Sequence, residues 1–204
     1  MANIFVISDT HFTHENIIRY CGRPFSCAAE MDEVMVERWN AVVRPQDHVY
    51  HLGDVAMKRA NLAIVKRLNG HKRLVFGNHD IYDHKDYLAA GFQKLCGIRV
   101  LNGMIFTHIP IHPNSMGRFT GNVHGHVHNN ESLGHPYLNV SVEVIGYQPV
   151  SLEDVNVRLR NRAENPLAVY AVDPSAASAG TLTTRARSSS SFSSPLPGPP
   201  KDAT

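Results

Sequence analysis

Five times along this chain a short apolar run gives way directly to a turn that carries aspartate, asparagine or histidine. The turns are Asp9-Thr10-His11, Gly53-Asp54, Gly77-Asn78-His79-Asp80, Thr107-His108 and Gly125-His126-Val127-His128. Short apolar runs bounded by such turns read as strands, and the segments between them carry helical spacing, so the chain is expected to fold as an α/β sheet protein. In such a sheet, residues just beyond the carboxyl ends of strands gather at one place. One feature therefore constrains both the fold class and the position of any site.

The element pattern follows from periodicity. The run Ile4–Ile7 reads as a buried strand. Met31, Val34, Met35, Trp39 and Val42 recur at three- and four-residue spacing, with Glu30, Asp32 and Glu33 in the first turn, which predicts an amphipathic helix with its tryptophan inward. Residues 49–52 and 73–76 read as strands, with a helix over 62–68 between them closed by Asn69-Gly70. Residues 100–106 read as two strands around an Asn102-Gly103 turn. Further strands are expected at 122–127 and 137–142. A last helix starts at Ser151, with a hydroxyl cap and acidic first turn, and runs to about residue 162.

Composition excludes several classes. With 204 residues, 43% hydrophobic, 19% charged and a net charge of +2, the bulk of the chain is neither disordered nor membrane-spanning. No apolar run approaches the about 18 residues of a membrane span. A charge of +2 makes no field like that of a dedicated nucleic-acid binder. Cys21, Cys27 and Cys96 match no zinc module or disulfide framework, which points to structural thiols in a reducing, cytoplasmic setting. The N-terminus carries no basic stretch before its apolar run and reads as a first strand rather than a signal peptide. From Pro174 to Thr204 the only large apolar residues are Leu182, Phe192 and Leu196, too few to bury a core. The expected organisation is a domain over residues 1–165 and a disordered Ser/Pro/Ala-rich tail over 166–204. Nothing in the sequence selects an oligomeric state.

The chemistry lies in the five turns. Asp9 with His11, and His126 with His128, are spaced by two, which in extended backbone aims both side chains the same way. The glycines at 53, 77 and 125 are expected to let the backbone turn tightly so that the next residue faces the site. Any one of these motifs is common by chance, and Asn78 alone reads as a turn residue. All five in order, each at a strand end, point to one centre. Imidazole and hard oxygen donors without thiolate suit Mn²⁺, Fe or Zn²⁺. Among other histidines, His14 reads as a substrate contact or an exposed loop residue. His112 competes with His108, which is preferred because it directly follows the run 104–106. His124 reads as a cross-strand contact, and His51, His84 and His135 as structural or solvated. Arg158, Arg160 and Arg162 read as a solvated helix face.

Taken together, the motifs D-x-H, G-D, G-N-H-[DE], H and G-H-x-H resemble the calcineurin-like metallophosphoesterases over residues 3 to about 141. The text of residues 8–18 and His51-Leu52-Gly53-Asp54 look like the small, uncapped bacterial and phage members. The resemblance implies a four-layer α/β/β/α sandwich holding two divalent ions, with Mn²⁺ the first choice. One ion would take Asp9, His11, Asp54 and His128, the other Asp54, Asn78, His108 and His126, with Asp54 bridging. It implies a hydrolase acting on a phosphomonoester or phosphodiester by in-line attack of a metal-bridging hydroxide, with Asp54 and His79 catalytic and His79 near the leaving group. Residues 53–59 lack the aspartate and arginine of the G-D-x-x-D-R-G pattern of protein serine/threonine phosphatases, which argues against that branch and leaves His79 without an assigned partner. The implied partner is a phosphoester substrate, nucleotide and nucleic acid included, with no membrane. A nuclease or a cyclic-nucleotide phosphodiesterase on the same site is the alternative, and a non-catalytic scaffold of this fold a more distant one.

Overall fold

Strand β1 (Ile4–Ile7) is apolar throughout and mostly buried, as a strand covered on both faces must be. The computed structural model describes residues 1–130 and 133–164. The expected tail, and the boundary at residue 165, lie outside the described residues. Beside β1 run β2 (His48–His51), β3 (His71–Val75) and β4 (Phe92–Cys96), all parallel, with the short antiparallel β9 (Val150–Ser151) on the opposite edge, in the order β4-β3-β2-β1-β9. A second sheet is ordered β5 (Arg99–Leu101), β6 (Met104–Phe106), β7 (Gly121–His124) and β8 (Tyr137–Asn139). Its last three strands are parallel, and β5 is antiparallel to β6. The fold is thus α/β with two mixed sheets.

Parallel pairing decides where the five turns go. The carboxyl ends of β1, β2 and β3 share one edge of the first sheet, and those of β6 and β7 share one edge of the second. Beyond β8 the chain ties these edges together. Val140 N–H bonds the carbonyl of His124 (2.8 Å), Ser8 N–H that of Val140 (3.0 Å), and Val142 N–H that of Ser8 (3.1 Å).

One hydrophobic cluster includes side chains of both sheets. Tyr50 of β2 and Phe106 of β6 stack with ring centroids 6.2 Å apart. Helix α2 (Ala28–Val42) buries Met31, Met35 and Trp39, and the Trp39 indole N–H bonds the carbonyl of Asn69 at 3.0 Å. The helix expected over 62–68 is instead a 3₁₀ segment, Arg59–Arg67. Its two buried residues, Leu62 and Val65, are three apart, the repeat of a 3₁₀ turn. The Asn102-Gly103 hairpin forms as expected, with φ of 51° and 79°. The strand expected at 122–127 ends at His124, where the last motif turns, and that at 137–142 ends at Asn139. Helices α1 (Glu15–Cys21), α3 (His84–Ala90) and the one-turn α4 (Val142–Ile145), with strand β4, were not anticipated. Helix α5 (Leu152–Glu164) is capped as read, with Asp154 N–H on Ser151 Oγ at 3.0 Å. Arg162 is not simply solvated: it donates to the Tyr137 carbonyl at 2.5 Å. No helix among the described residues is long and apolar enough to cross a membrane.

Candidate metal centre

The turns beyond the strands carry an unusual backbone. Asp9 (φ 59°), His11 (47°), Asp54 (58°), His126 (70°) and His128 (51°) are all left-handed. For a residue with a Cβ this costs on the order of 1–2 kcal/mol each, so the surroundings must impose it. They do so through backbone bonds between motifs: Asp9 N–H to Gly53 O and His11 N–H to Asp54 O, both 3.0 Å. Gly53, at φ 99°, turns the backbone as expected, but the other two glycines act differently. Gly77 and Gly125 do not have positive φ; they leave room. A Cβ on Gly77 would lie 2.2 Å from Asp54 Oδ1, and one on Gly125 2.0 Å from Ser8 Oγ and 2.2 Å from Asp9 Oδ2. The ligand-type residues make the turns, and the glycines let the turns meet.

The convergent atoms are short of protons. Asp9 is fully buried; its Oδ2 accepts from His126 N–H and Ser141 Oγ, both at 2.9 Å, and its Oδ1 is buried without a partner. Both ring nitrogens of His11 are likewise buried and unpartnered. Asp54 Oδ1 accepts from His79 N–H at 2.9 Å, which leaves Oδ2 at 3.5 Å from His11 Nε2 and 3.4 Å from His108 Nε2, an oxygen standing between two histidines. His108 Nδ1 donates to the Leu52 carbonyl at 2.8 Å, so in the neutral ring Nε2 holds a lone pair. That nitrogen is 2.9 Å from Asn78 Oδ1 and 3.3 Å from His126 Nδ1, which is itself 3.0 Å from Asn78 Oδ1. Donor atoms of Asp9, His11 and His128, and of Asp9, Asp54 and His108, lie within 4.8 Å of one another. All seven residues named as ligands thus come together in one connected cluster.

The electrostatics favour added positive charge. Burial holds His11 down to about 3, so it is neutral and offers a lone pair, and burial also lowers His126. Burial raises the Asp9 carboxyl. For Asp54 burial acts upward too, but the hydrogen bond and charge of His108 outweigh it and hold the group at about 2. His128 and His108 move up against their burial: His128, beside Cys21 and Glu143, to about 10, and His108 through Asp54 and Asp9. The carboxylates that draw protons toward these two rings would draw a cation in the same way. These buried Asp and His groups could bind metal.

His79 and Asn78 sit at the exposed rim. The His79 ring lies 5.6 Å from that of His11, and it has no carboxylate partner among the described residues. Beside it opens a cleft of about 500 Å³ lined by His11, His14, Tyr20, Met57, His79 and His128 among others. His14 therefore belongs to the site wall. His112 is not a competitor of His108; its Nδ1 accepts from Asn114 N–H in a loop turn. His124 bonds the Gly125 carbonyl through Nδ1 (2.9 Å), and its ring meets that of Tyr137 on the neighbouring strand. His51 is structural, accepting from Gly53 N–H and bonded to Thr10 Oγ1 at 2.9 Å, so it joins the first two motifs.

Four contributors carried no assigned role in the sequence. The Asp80 carboxylate takes the N–H groups of Asp54 (2.7 Å), Gly77 (2.9 Å) and Val55 (3.1 Å), fixing the turn that presents Asp54; its place in the third motif was the available signal. Ser141 holds Asp9, as above. Arg23 and Glu143 form a buried ion pair at 2.6 Å behind His128, and Glu143 Oε1 is 3.0 Å from His128 Nδ1. They are 120 residues apart, and no local pattern links them.

The chain is 38% identical over 169 residues to the "Uncharacterized protein MJ1445" of Methanocaldococcus jannaschii, covering 75% of this chain and 89% of that one. It belongs to the same family as that archaeal protein. No family model matches the chain. Among solved structures it is similar to the protein of unknown function AQ665 from Aquifex aeolicus, at 29% identity and a TM-score of 0.61, over 78% of this chain and 100% of that one. That likeness supports the fold along the whole of the Aquifex chain. A nuclease, MPE of Pseudomonas putida, is similar at 21% identity over 61% of each chain with a TM-score of 0.43.

Proposed function

We propose that this protein is a metal-dependent phosphoester hydrolase of the metallophosphoesterase type, its two sheets and flanking helices forming the four-layer sandwich of that group. The observation that carries the reading is Asp54 Oδ2, poised between His11 Nε2 and His108 Nε2 with the orphaned Asp9 Oδ1 and unpartnered His11 nitrogens beside it. Buried acceptors without protons are costly unless a cation satisfies them. In this reading Asp9, His11, Asp54 and His128 would hold one divalent ion, and Asp54, Asn78, His108 and His126 the other. Asp54 is shared. Two divalent ions, with Mn²⁺ the first choice and Fe or Zn²⁺ as alternatives, would supply an activated water and neutralise charge on the phosphoryl oxygens.

The remaining chemistry is the chain's own. Asp80 and Gly77 set the position of Asp54, and Ser141 with His126 N–H turn Asp9 so that Oδ1 faces inward. His79 lies on the rim, with its backbone held to Asp54, and in this reading it would give a proton to the departing ester oxygen. The cleft bounded by His14, Tyr20 and Met57 takes the organic group of the substrate, a phosphomonoester or phosphodiester, nucleotides and nucleic acid included. A nuclease or a cyclic-nucleotide phosphodiesterase would use the same atoms. Hydrolysis of bis(4-nitrophenyl) phosphate with and without added Mn²⁺ tests the reading, and a panel of phosphomonoesters and of linear and cyclic diesters separates its branches. Turnover of none of them with two ions bound would point to a scaffold that kept its ligands.

A further inference from the structure

Behind His128, away from the cleft, lies a buried charge network that no motif contains. Arg23 Nε and Nη2 both donate to Glu143 Oε1, at 2.9 and 2.6 Å. The same guanidinium reaches the backbone of the first motif, with Nη2 on the Asp9 carbonyl (2.7 Å) and Nη1 on the Thr10 carbonyl (2.9 Å). The Arg23 and Glu143 side chains are 0% and 4% exposed. Glu143 Oε1 also faces His128 Nδ1 at 3.0 Å.

From this geometry we infer that Arg23 and Glu143 are positioning residues that preset one half of the metal centre, the half formed by Asp9, His11 and His128. The inference rests on the two-ion reading above. A carboxylate only accepts, so Nδ1 of His128 carries a proton toward Glu143 and the neutral ring has its lone pair on Nε2. Such an outer carboxylate fixes both the tautomer and the ring plane of a ligand histidine. The planar fork of arginine does the rest: one group binds Glu143 and, with its other N–H bonds, grips the carbonyls of Asp9 and Thr10, which belong to the two peptide links between the left-handed residues Asp9 and His11. Lysine, with a point charge, could not span these acceptors.

Two features argue that the pair serves the site rather than stability alone. A buried ion pair can usually be replaced by apolar side chains of like volume without loss of stability, so its presence is weak support for the fold. Glu143 Oε2 is also buried without a partner, a cost that a pair selected only for stability would not carry. The other half is held differently: His108 is oriented by the Leu52 carbonyl, and among the described residues no hydrogen bond or ion pair joins Asn78 or His126 to Arg23 or Glu143.

The effect should therefore be one-sided. Calorimetric titration of the ion-free full chain with Mn²⁺ is expected to show two sites in the wild type. Glu143→Ala should weaken one of them by about 10- to 100-fold, the usual loss on removing such a partner, and leave the other within about twofold. Because Glu143→Ala strands the Arg23 charge, the paired variant Arg23→Met with Glu143→Leu provides a folded comparison and should show the same selective loss. Ring ¹⁵N spectra of the wild type loaded with Zn²⁺ should show His128 protonated at Nδ1. Unchanged affinities, equal weakening of both sites, or a proton on Nε2 of His128 would overturn the inference. A wild type that takes up no Mn²⁺ would instead overturn the two-ion reading, and this inference with it.

Discussion

At the scale of single residues, the cluster assigns separate tasks to the two oxygens of each carboxylate. Asp54 gives Oδ1 to the His79 N–H and keeps Oδ2 for the centre; Asp9 gives Oδ2 to Ser141 and His126 and keeps Oδ1. Replacing Asp54 with Asn removes the shared charge, and both ions should be lost on exhaustive dialysis, whereas Asn78→Ala should lose mainly one. Metal analysis decides this, and two retained equivalents in the Asp54→Asn protein would refute the bridge. For His79 the discriminating measurement is the leaving group. If it protonates the departing oxygen, His79→Ala should keep both ions and lower kcat on an alkyl ester by about 10² to 10⁴, the range for general acid catalysis, with far less effect on 4-nitrophenyl esters, whose leaving group needs no proton. Equal losses on both would mean that His79 grips phosphate instead.

At the scale of elements, the decisive contacts are between turns, not within them. The first turn hydrogen-bonds to the second, and the fifth lies against the first with only a glycine's thickness between them. Gly125→Ala should therefore act on Asp9. Its new methyl group would overlap Ser8 Oγ and Asp9 Oδ2, and relief requires the loop of His126 and His128 to move away from β1. Overpacking of this kind costs about 1–3 kcal/mol. The expected outcome is a lower melting temperature together with loss of the ion held by Asp9, His11 and His128. A variant that melts lower yet binds both ions at wild-type affinity would show that the loop yields elsewhere.

At the scale of the whole molecule, the parallel sheet is anchored at its amino-terminal edge, opposite the site. Asp47 there is fully buried and accepts from Asn3 N–H (2.8 Å), from Arg44 N–H (2.9 Å) and from the Arg44 guanidinium (3.0 Å to Nη2), tying the entry of β1 to that of β2. The hydrogen bonds from Arg44 outweigh burial and hold the Asp47 carboxyl well below the usual carboxylate range. A depressed carboxylate stabilises the fold fully above its unfolded pKa, about 3.9, and loses that contribution as pH falls further. Asp47→Asn should thus cost on the order of 1–3 kcal/mol at pH 7, as for a charged hydrogen bond removed, and the gap to wild type should narrow below about pH 4. Thermal melts between pH 7 and pH 3 check this. A gap that stays constant would place the stabilisation in packing instead.

Much of the fold was legible because it is local. Periodicity located Ile4–Ile7, the helix carrying Trp39, the Asn102-Gly103 hairpin and the Ser151 cap, since each depends on neighbours within a few residues. The short α1 and α3 and the half-exposed β4 lack a clean period and are held by what they pack against, so they were not legible. The site divides in the same way. Sequence order made the five turns companions, because parallel strands must deliver their following turns to one edge, and the resemblance to the metallophosphoesterases picked Asp9, His11, Asp54, Asn78, His108, His126 and His128 out of them. Only the tertiary structure decided which oxygen of each carboxylate faces inward and why three glycines are required. It alone showed that Arg23 and Glu143 stand behind His128, because such contacts join residues more than a hundred positions apart, where neither period nor spacing carries a signal.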